Sequence, residues 1–356
     1  MDNLRRAVIS TLAFAEGVSY PLSALEVWRG LVSAPSAPRG VHVSAVAKAL
    51  SDLASLGIVR EERGLFFLPT SMVDPVRSQA LPNGISGREP EGASVRPTLS
   101  SGATSSTPAS NGVDCNERAR RYRIAERKFR RARRVARLLR HMPFVRAIAV
   151  CNSLAVSNAR EDSDVDLFLI AAPRRLWTAR LLAVGLLRLL RLRPGETVRD
   201  PVCLHFFVSA DALSLRDVAL PRSPAGSPDL YLAWWVTELV PLVDGGVMEH
   251  FWKANAWARE QFPNAAPKVP SPRRSVLSPS AVSRFLERLV PQRAEVFAEW
   301  LQRKLLPPEL SARANRGTEI VLSASRIKCH ADDRRAQYRS LWEERVSSLL
   351  SSVSAT

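Results

Sequence analysis

The sequence is short of several things, and each shortage removes a class of protein. Cysteine is scarce: 4 in 356 residues, at Cys115, Cys151, Cys203 and Cys329, with no CxxC pair. A disulfide framework and a zinc knuckle are therefore not indicated, and the four read as thiols of a reducing, cytoplasmic compartment. Long apolar runs are missing too. The two that come nearest, LWTARLLAVGLLRLL and LYLAWWVTELVPLV, are broken by Arg180 and Arg188 and by Glu238 and Pro241. Both fall short of the roughly 20 apolar residues a membrane span requires, so they read as buried helices and no membrane partner is expected. The N-terminal MDNLRRAVISTLAFAEG mixes acid and base early and lacks the apolar stretch and cleavage site of a secretory signal. No GxxxxGK[ST] loop, GxGxxG turn, HExxH helix or GxSxG elbow occurs, which sets aside the commonest ATPase, dehydrogenase, zincin and hydrolase classes. Acids are in deficit, 34 against 51 Lys and Arg, for a formal net charge of +17. Such a field favours nucleic acid, nucleotides or other polyanions and leaves the fold open.

What is present divides along the chain. In residues 1–70, LRRAVISTLAFAE places apolar side chains at helical spacing, and SALEVWRGLV gives a second helix after Pro21. VSAVAKALSDLASLG predicts a third, with Ser44 as N-cap and Gly57 as its stop. IVREERGLFFLP reads as strand, turn, strand around Gly64. Three helices and a hairpin in this order resemble a winged helix, whose third helix would enter a DNA groove. That helix offers Lys48 and little other positive charge outward, so a packing or protein-interaction module fits equally. Residues 71–116, with SGREPEGASVRPTLSSGATSSTPASNG, hold no periodic apolar pattern and are expected to be a disordered linker.

ERARRYRIAERKFRRARRVARLLRHMPF follows. Tyr122, Ala125, Phe129, Ala132, Ala136 and Leu139 recur at helical steps and predict one apolar face of a long helix. Arginines fill the rest, and Glu126 is nearly alone among them. This is either a phosphate-neutralising surface for nucleic acid or a solvated face that connects domains.

The densest chemistry lies in CNSLAVSNAREDSDVDLFLI, residues 151–170. VRAIAVC before it and DVDLFLI within it are short apolar strands. Side chains alternate along a strand, so Asp164 and Asp166 share a face, about 6–7 Å apart, while Val165, Leu167 and Leu169 take the other. Two carboxylates side by side at a buried strand end are unfavourable without a compensating cation, and a hard divalent ion such as Mg²⁺ takes oxygen ligands. Solvated acids at a strand edge give the same pattern.

The turn Asn152–Ser153 followed by Asp162, Ser163, Asp164, Val165, Asp166 and Leu167 resembles the polymerase-β-like nucleotidyltransferase superfamily. The wider chain is similar to an uncharacterised bacterial group of nucleotidyltransferase-like proteins with an N-terminal winged helix. SYPLSALEVW, PFVRAIAVCNSLAVSNAREDSDVDLFLI, RDPVCLHFFV, DLYLAWWVTELVPL and IKCHADDRRAQY carry that likeness. The resemblance implies an α/β chain: a winged helix over 1–70, a mixed-sheet nucleotidyltransferase core over 117–245 and a helical C-terminal domain over 246–356 that closes one side of the cleft. It implies that Asp164 and Asp166 hold Mg²⁺ or Mn²⁺ with a nucleoside triphosphate, such as ATP, and that Asn152 and Ser153 contact its phosphates. A nucleoside monophosphate would pass to an acceptor hydroxyl.

The sequence departs from that pattern twice. Asn152 stands where the family has glycine, which lets backbone approach a phosphate closely. A third carboxylate is expected on a later strand, but VCLHFFV has none; His205 occupies its middle, Asp200 precedes it and Asp211 follows. Asp200 is the candidate for that catalytic role. A catalytically weak nucleotide- or nucleic-acid-binding regulator is the alternative. The crossover between DVDLFLI and VCLHFFV falls to RRLWTARLLAVGLLRLL, and Trp177, Trp234 and Trp235 read as core. RIKCHADDRRAQY, with Lys328, His330, Asp332, Asp333, Arg334 and Arg335, reads as a salt-bridged or anion-contacting helix start.

Overall fold

The computed structural model describes residues 2–18, 20–33, 40–69, 115–268, 276–330 and 332–354. The expected linker falls mostly on 70–114, outside the described residues; its last two positions, Cys115 and Asn116, already belong to a helix.

The N-terminal elements form by local rules. α1 (Asn3–Gly17) opens on Asp2, whose carboxylate accepts from the Arg5 N–H. β1 (Leu22–Ser23) runs into α2 (Ala24–Arg29) through a capping box in which Ser23 and Glu26 satisfy each other's backbone N–H. α3 (Val43–Ser55) is capped by His42 rather than Ser44: the His42 ring nitrogen accepts from the Ser44 N–H. Gly57, at φ +70°, ends it as expected. β2 (Arg60–Glu62) and β3 (Leu65–Phe67) pair antiparallel through Arg63 and Gly64, both at positive φ, and β1 completes a sheet of order β1-β3-β2. Val8, Leu12, Val27, Leu50, Leu53 and Phe66 close a core of their own beneath it.

α4 (Cys115–Leu139) is the arginine-rich helix. Its buried face carries Ala125, Phe129, Ala132, Ala136 and Leu139 as expected, joined by Ile124, Val135 and Lys128. Tyr122, expected there, is 53% exposed, because it lies at the margin of the buried stripe, about a quarter-turn from its centre.

The large sheet follows: β4 (Val145–Val150), α5 (Asn152–Ala155), β5 (Val165–Ala171), α6 (Leu176–Leu189), β6 (Val202–Ser209), α7 (Leu230–Glu238) and β7 (Val240–Asp244). Then come α8 (Met248–Ala254), α9 (Ala258–Gln261), α10 (Ala281–Leu289), α11 (Arg293–Lys304), α12 (Pro308–Arg313), β8 (Ile320–Leu322), β9 (Arg326–Cys329) and α13 (Arg335–Ser354). The order is β7-β4-β5-β6-β9-β8, with β5 and β6 parallel and the other pairs antiparallel. α6 is the crossover between the parallel pair. Helices cover both faces, so β5 is apolar along almost its whole length. Val165, Leu167 and Leu169 face one core with α4 and α6; Phe168 and Ile170 face another with α7 and α8.

The C-terminal segment is not purely helical, as the sequence suggested. β8 and β9 extend the sheet beside β6, and α13 returns to the N-terminal core, where Leu349 packs and Arg345 pairs with Glu16. The N-terminal unit is further tied to the sheet by Arg118, which pairs with Glu26 at 2.7 Å and lies over the Tyr20 ring, and by the Tyr20 hydroxyl donating to the Val156 carbonyl. Among the described residues no helix is long and apolar enough to cross a membrane.

One buried cation organises the approach to β5. Lys128 of α4 has no exposed surface; its ammonium donates to the carbonyls of Glu161 and Ser163 and pairs with Asp200 at 3.0 Å. Loss of the ammonium leaves Asp200 to Arg127 alone and takes a donor from two buried carbonyls. Lys128→Met should therefore lose about 1–3 kcal/mol of stability in denaturant unfolding, mostly from those carbonyls, so that Asp200→Asn in the same background recovers little of it.

Candidate active site

Asp164 precedes β5 and Asp166 is its second residue, and each is 7% exposed. Asp166 shares its face with Phe168 and Ile170, opposite Val165 and Leu167, as the alternation predicts. Burial pushes the Asp164 carboxyl up to about 7, with the charge of Asp166 adding to it and Lys128 opposing. Burial raises Asp166 to about 6, against the hydrogen bond from Asn152 and the charge of Lys128. Among the described residues, no Lys or Arg forms an ion pair with either acid.

Asn152 opens α5 directly after β4, at φ +56°, a region asparagine tolerates better than most residues. Its amide donates to Asp166 Oδ2 at 2.9 Å, and its carbonyl oxygen accepts from the Trp235 indole at 2.9 Å. The indole donates only, so it fixes which end of the amide faces the acid. The Asn152 side chain thus fills the space that a glycine would leave open before Asp166. Ser153 is half-buried, and its carbonyl accepts from the Asn158 N–H.

Asp200 is engaged elsewhere. Arg127 grips both of its oxygens at 3.0–3.1 Å while Lys128 pairs with one, and these cations overcome its burial and hold it below the usual carboxylate range. The group that converges on Asp166 is instead Cys203 and His205 of β6. Their donor atoms and a carboxylate oxygen of Asp166 all lie within 4.8 Å of one another; neither Asp164 nor Asp200 joins that set. His205 Nδ1 is 3.6 Å from Asp166 Oδ1 and 3.4 Å from Cys203 Sγ. Burial and the Lys328 charge lower His205 to about 4, so the ring is neutral at pH 7.

The C-terminal strand and helix complete the surroundings. His330 packs on the His205 ring at 4.7 Å between centroids. Lys328 pairs with Asp333 at 2.8 Å, and Arg335 bridges Asp333 and Asp229, which also caps α7. The salt-bridged helix start expected from RIKCHADDRRAQY is present. A cavity of about 40 Å³, bordered by Asn152, His205, Tyr231, Trp235, Lys328 and His330, lies between these groups. It has the size of a few water molecules and is too small for a nucleotide. A larger cavity, about 300 Å³, lies between α1, α2 and α7 and touches neither acid.

Sequence reasoning singled out the acids and the Asn152 turn, and it did not bring Cys203 and His205 to Asp166 or Lys128 to Asp200. The C-x-H spacing on a strand was the available signal for the first two. No family model, curated protein or solved structure matches the chain.

The buried acid predicts a pH dependence. The Asp164 carboxyl sits at about 7 folded against 3.8 ordinarily, so the folded state holds its proton more tightly and stability falls as pH rises between those values. His205 and His330, both lowered by burial, oppose this slope at acid pH, so the comparison is made against a neutral isostere. The melting temperature of Asp164→Asn should rise relative to the parent from about pH 4 to about pH 7 and the gap level off above, reaching on the order of a few degrees.

Proposed function

We propose that the protein is a divalent-metal-dependent nucleotidyltransferase, passing a nucleoside monophosphate from a nucleoside triphosphate to an acceptor hydroxyl. One observation carries this: two desolvated carboxylates, Asp164 and Asp166, stand together beside the Asn152–Ser153 turn with no Lys or Arg of the described residues paired to them. The arrangement of the strands supports it, since the turn leaves β4 and the acids stand at the start of its antiparallel neighbour β5. Carboxylate oxygens suit Mg²⁺ or Mn²⁺, which when bound would neutralise phosphate charge. Asp166, fixed by Asn152, and Asp164 would be its ligands. Ser153 and the Asn152 backbone would border the phosphates, with the nucleotide outside the small water-sized cavity. Positioning and charge stabilisation dominate such a transfer.

A second reading, a nucleic-acid-binding regulator built on a winged helix and the arginine helix, has its own observation. Arg118, Arg121 and Arg127 are engaged by Glu26, Glu117, Glu161 and Asp200. Arg123, Arg130, Arg134 and Arg137 are exposed, and their spacing puts them along one side of α4. The outer side of α3 carries Lys48 and otherwise small residues, so the phosphate contacts fall to α4 in this reading.

Purified protein incubated with each α-labelled nucleoside triphosphate, Mg²⁺ or Mn²⁺ and a cell extract should transfer label, and Asp164→Ala should reduce transfer to background. Undiminished transfer by that variant would sink the enzyme reading. For the second, the slope of log affinity against log salt on duplex DNA should shrink by about 3–4 when the four exposed arginines become glutamine. An unchanged slope would remove α4 as the binding face.

A further inference from the structure

We propose that Asp166, Cys203 and His205 form a site for a borderline divalent metal ion of the Zn²⁺ type. The site stands on its own donors and meets the transfer reading only at Asp166.

The donors converge from two strands. Asp166 pairs in register with Cys203 across the parallel β5 and β6. Beyond that pair the register slips: Leu167 faces Leu204, but Phe168 faces Phe206, which leaves His205 as an inserted residue. Leu204 and Phe207 belong to the core on the α6 side, and Phe206 and Val208 to the core on the α7 side. Alternation puts Cys203 and His205 on the face opposite Leu204, the α7 side that Asp166 also takes, and the bulge after His205 returns Phe206 to that same side.

The distances suit a small ion. Cys203 Sγ and His205 Nδ1 are 3.4 Å apart, and His205 Nδ1 and Asp166 Oδ1 are 3.6 Å apart. Metal bonds of about 2.3 Å to sulfur and 2.0 Å to nitrogen or oxygen in a tetrahedron place such pairs about 3.3–3.5 Å apart. The donor set, one thiolate, one imidazole and one carboxylate, favours Zn²⁺ or Co²⁺ over Mg²⁺, which asks for oxygen and an octahedron. A dication with one thiolate and one carboxylate is neutral, which suits a site with a buried Asp166 and half-buried Cys203 and His205.

The surroundings fit as well. Asn152 holds Asp166 Oδ2 and leaves Oδ1 directed at His205, while the Trp235 indole holds Asn152. Hydrogen bonds of this kind orient ligating carboxylates. The cavity bordered by His205 and His330 offers the fourth position to water. Three protein ligands and one open position describe an accessible zinc site rather than a closed structural one.

Co²⁺, titrated into the full-length tag-free protein, is the test. One equivalent should bind with a thiolate-to-cobalt charge-transfer band that Zn²⁺ displaces. Cys203→Ser should lose the band and His205→Ala should weaken binding by more than the roughly 10–100-fold that loss of an outer-shell partner brings. Asp164→Ala and Cys329→Ser should keep it. Absence of the band in the parent, or its survival in Cys203→Ser, overturns the site. If Cys203→Ser fails to fold, X-ray absorption on the Zn²⁺-loaded parent reads the ligands directly, and a shell without sulfur overturns it equally. Label transfer without the cobalt band would remove this site alone, and the band without transfer would remove the enzyme reading alone.

Discussion

The ammonium of Lys128 joins three segments that the chain keeps apart: the arginine helix α4, the loop that leads into β5, and Asp200 at the start of β6. A lysine without solvent contact needs acceptors in every direction it donates, and two carbonyls with one carboxylate supply them. The loop carrying Glu161 and Ser163 is thereby fixed where it delivers Asp164 and Asp166 to the sheet. Arg127, one residue earlier, clamps the same Asp200 and Glu161 from the helix surface. The positive helix is thus part of the site's scaffold before it is anything else. Only its outward arginines remain available to a polyanion.

This dual use explains what the sequence could disclose. Apolar alternation placed Asp166 on the face opposite Val165 and Leu167, because period-two patterning survives even in a doubly covered strand whose end is polar. Gly57 and Gly64 marked turns because positive φ selects for glycine. Lys128 could not be separated from its neighbours, since a buried cation in a run of cations is set apart only by acceptors brought in by the fold. Tyr122 matched the apolar period but lies on its margin, where helical phase decides exposure. β8 and β9, of three and four residues, are too short for any period to register, so the segment read as helical.

The same limit hid the chemistry of β6. His205 read as the middle of a strand where a carboxylate was wanted. Its nearness to Cys203 follows from strand alternation, but its nearness to Asp166 depends on the pairing of β6 with β5, which the sequence does not show. Asp200 looked like the missing acid by position and is held by two cations instead.

Asn152 shows how the departures fit together. Glycine at this turn would admit a phosphate to the backbone. Asparagine keeps the positive φ and uses both ends of the amide, one on Asp166 and one on Trp235. The carboxylate is then held at Oδ2, which leaves Oδ1 facing the imidazole and thiol of β6. Asn152 at the turn and His205 on the neighbouring strand approach the two oxygens of the same acid. Whatever ion or nucleotide this site takes must satisfy that geometry at Asp166.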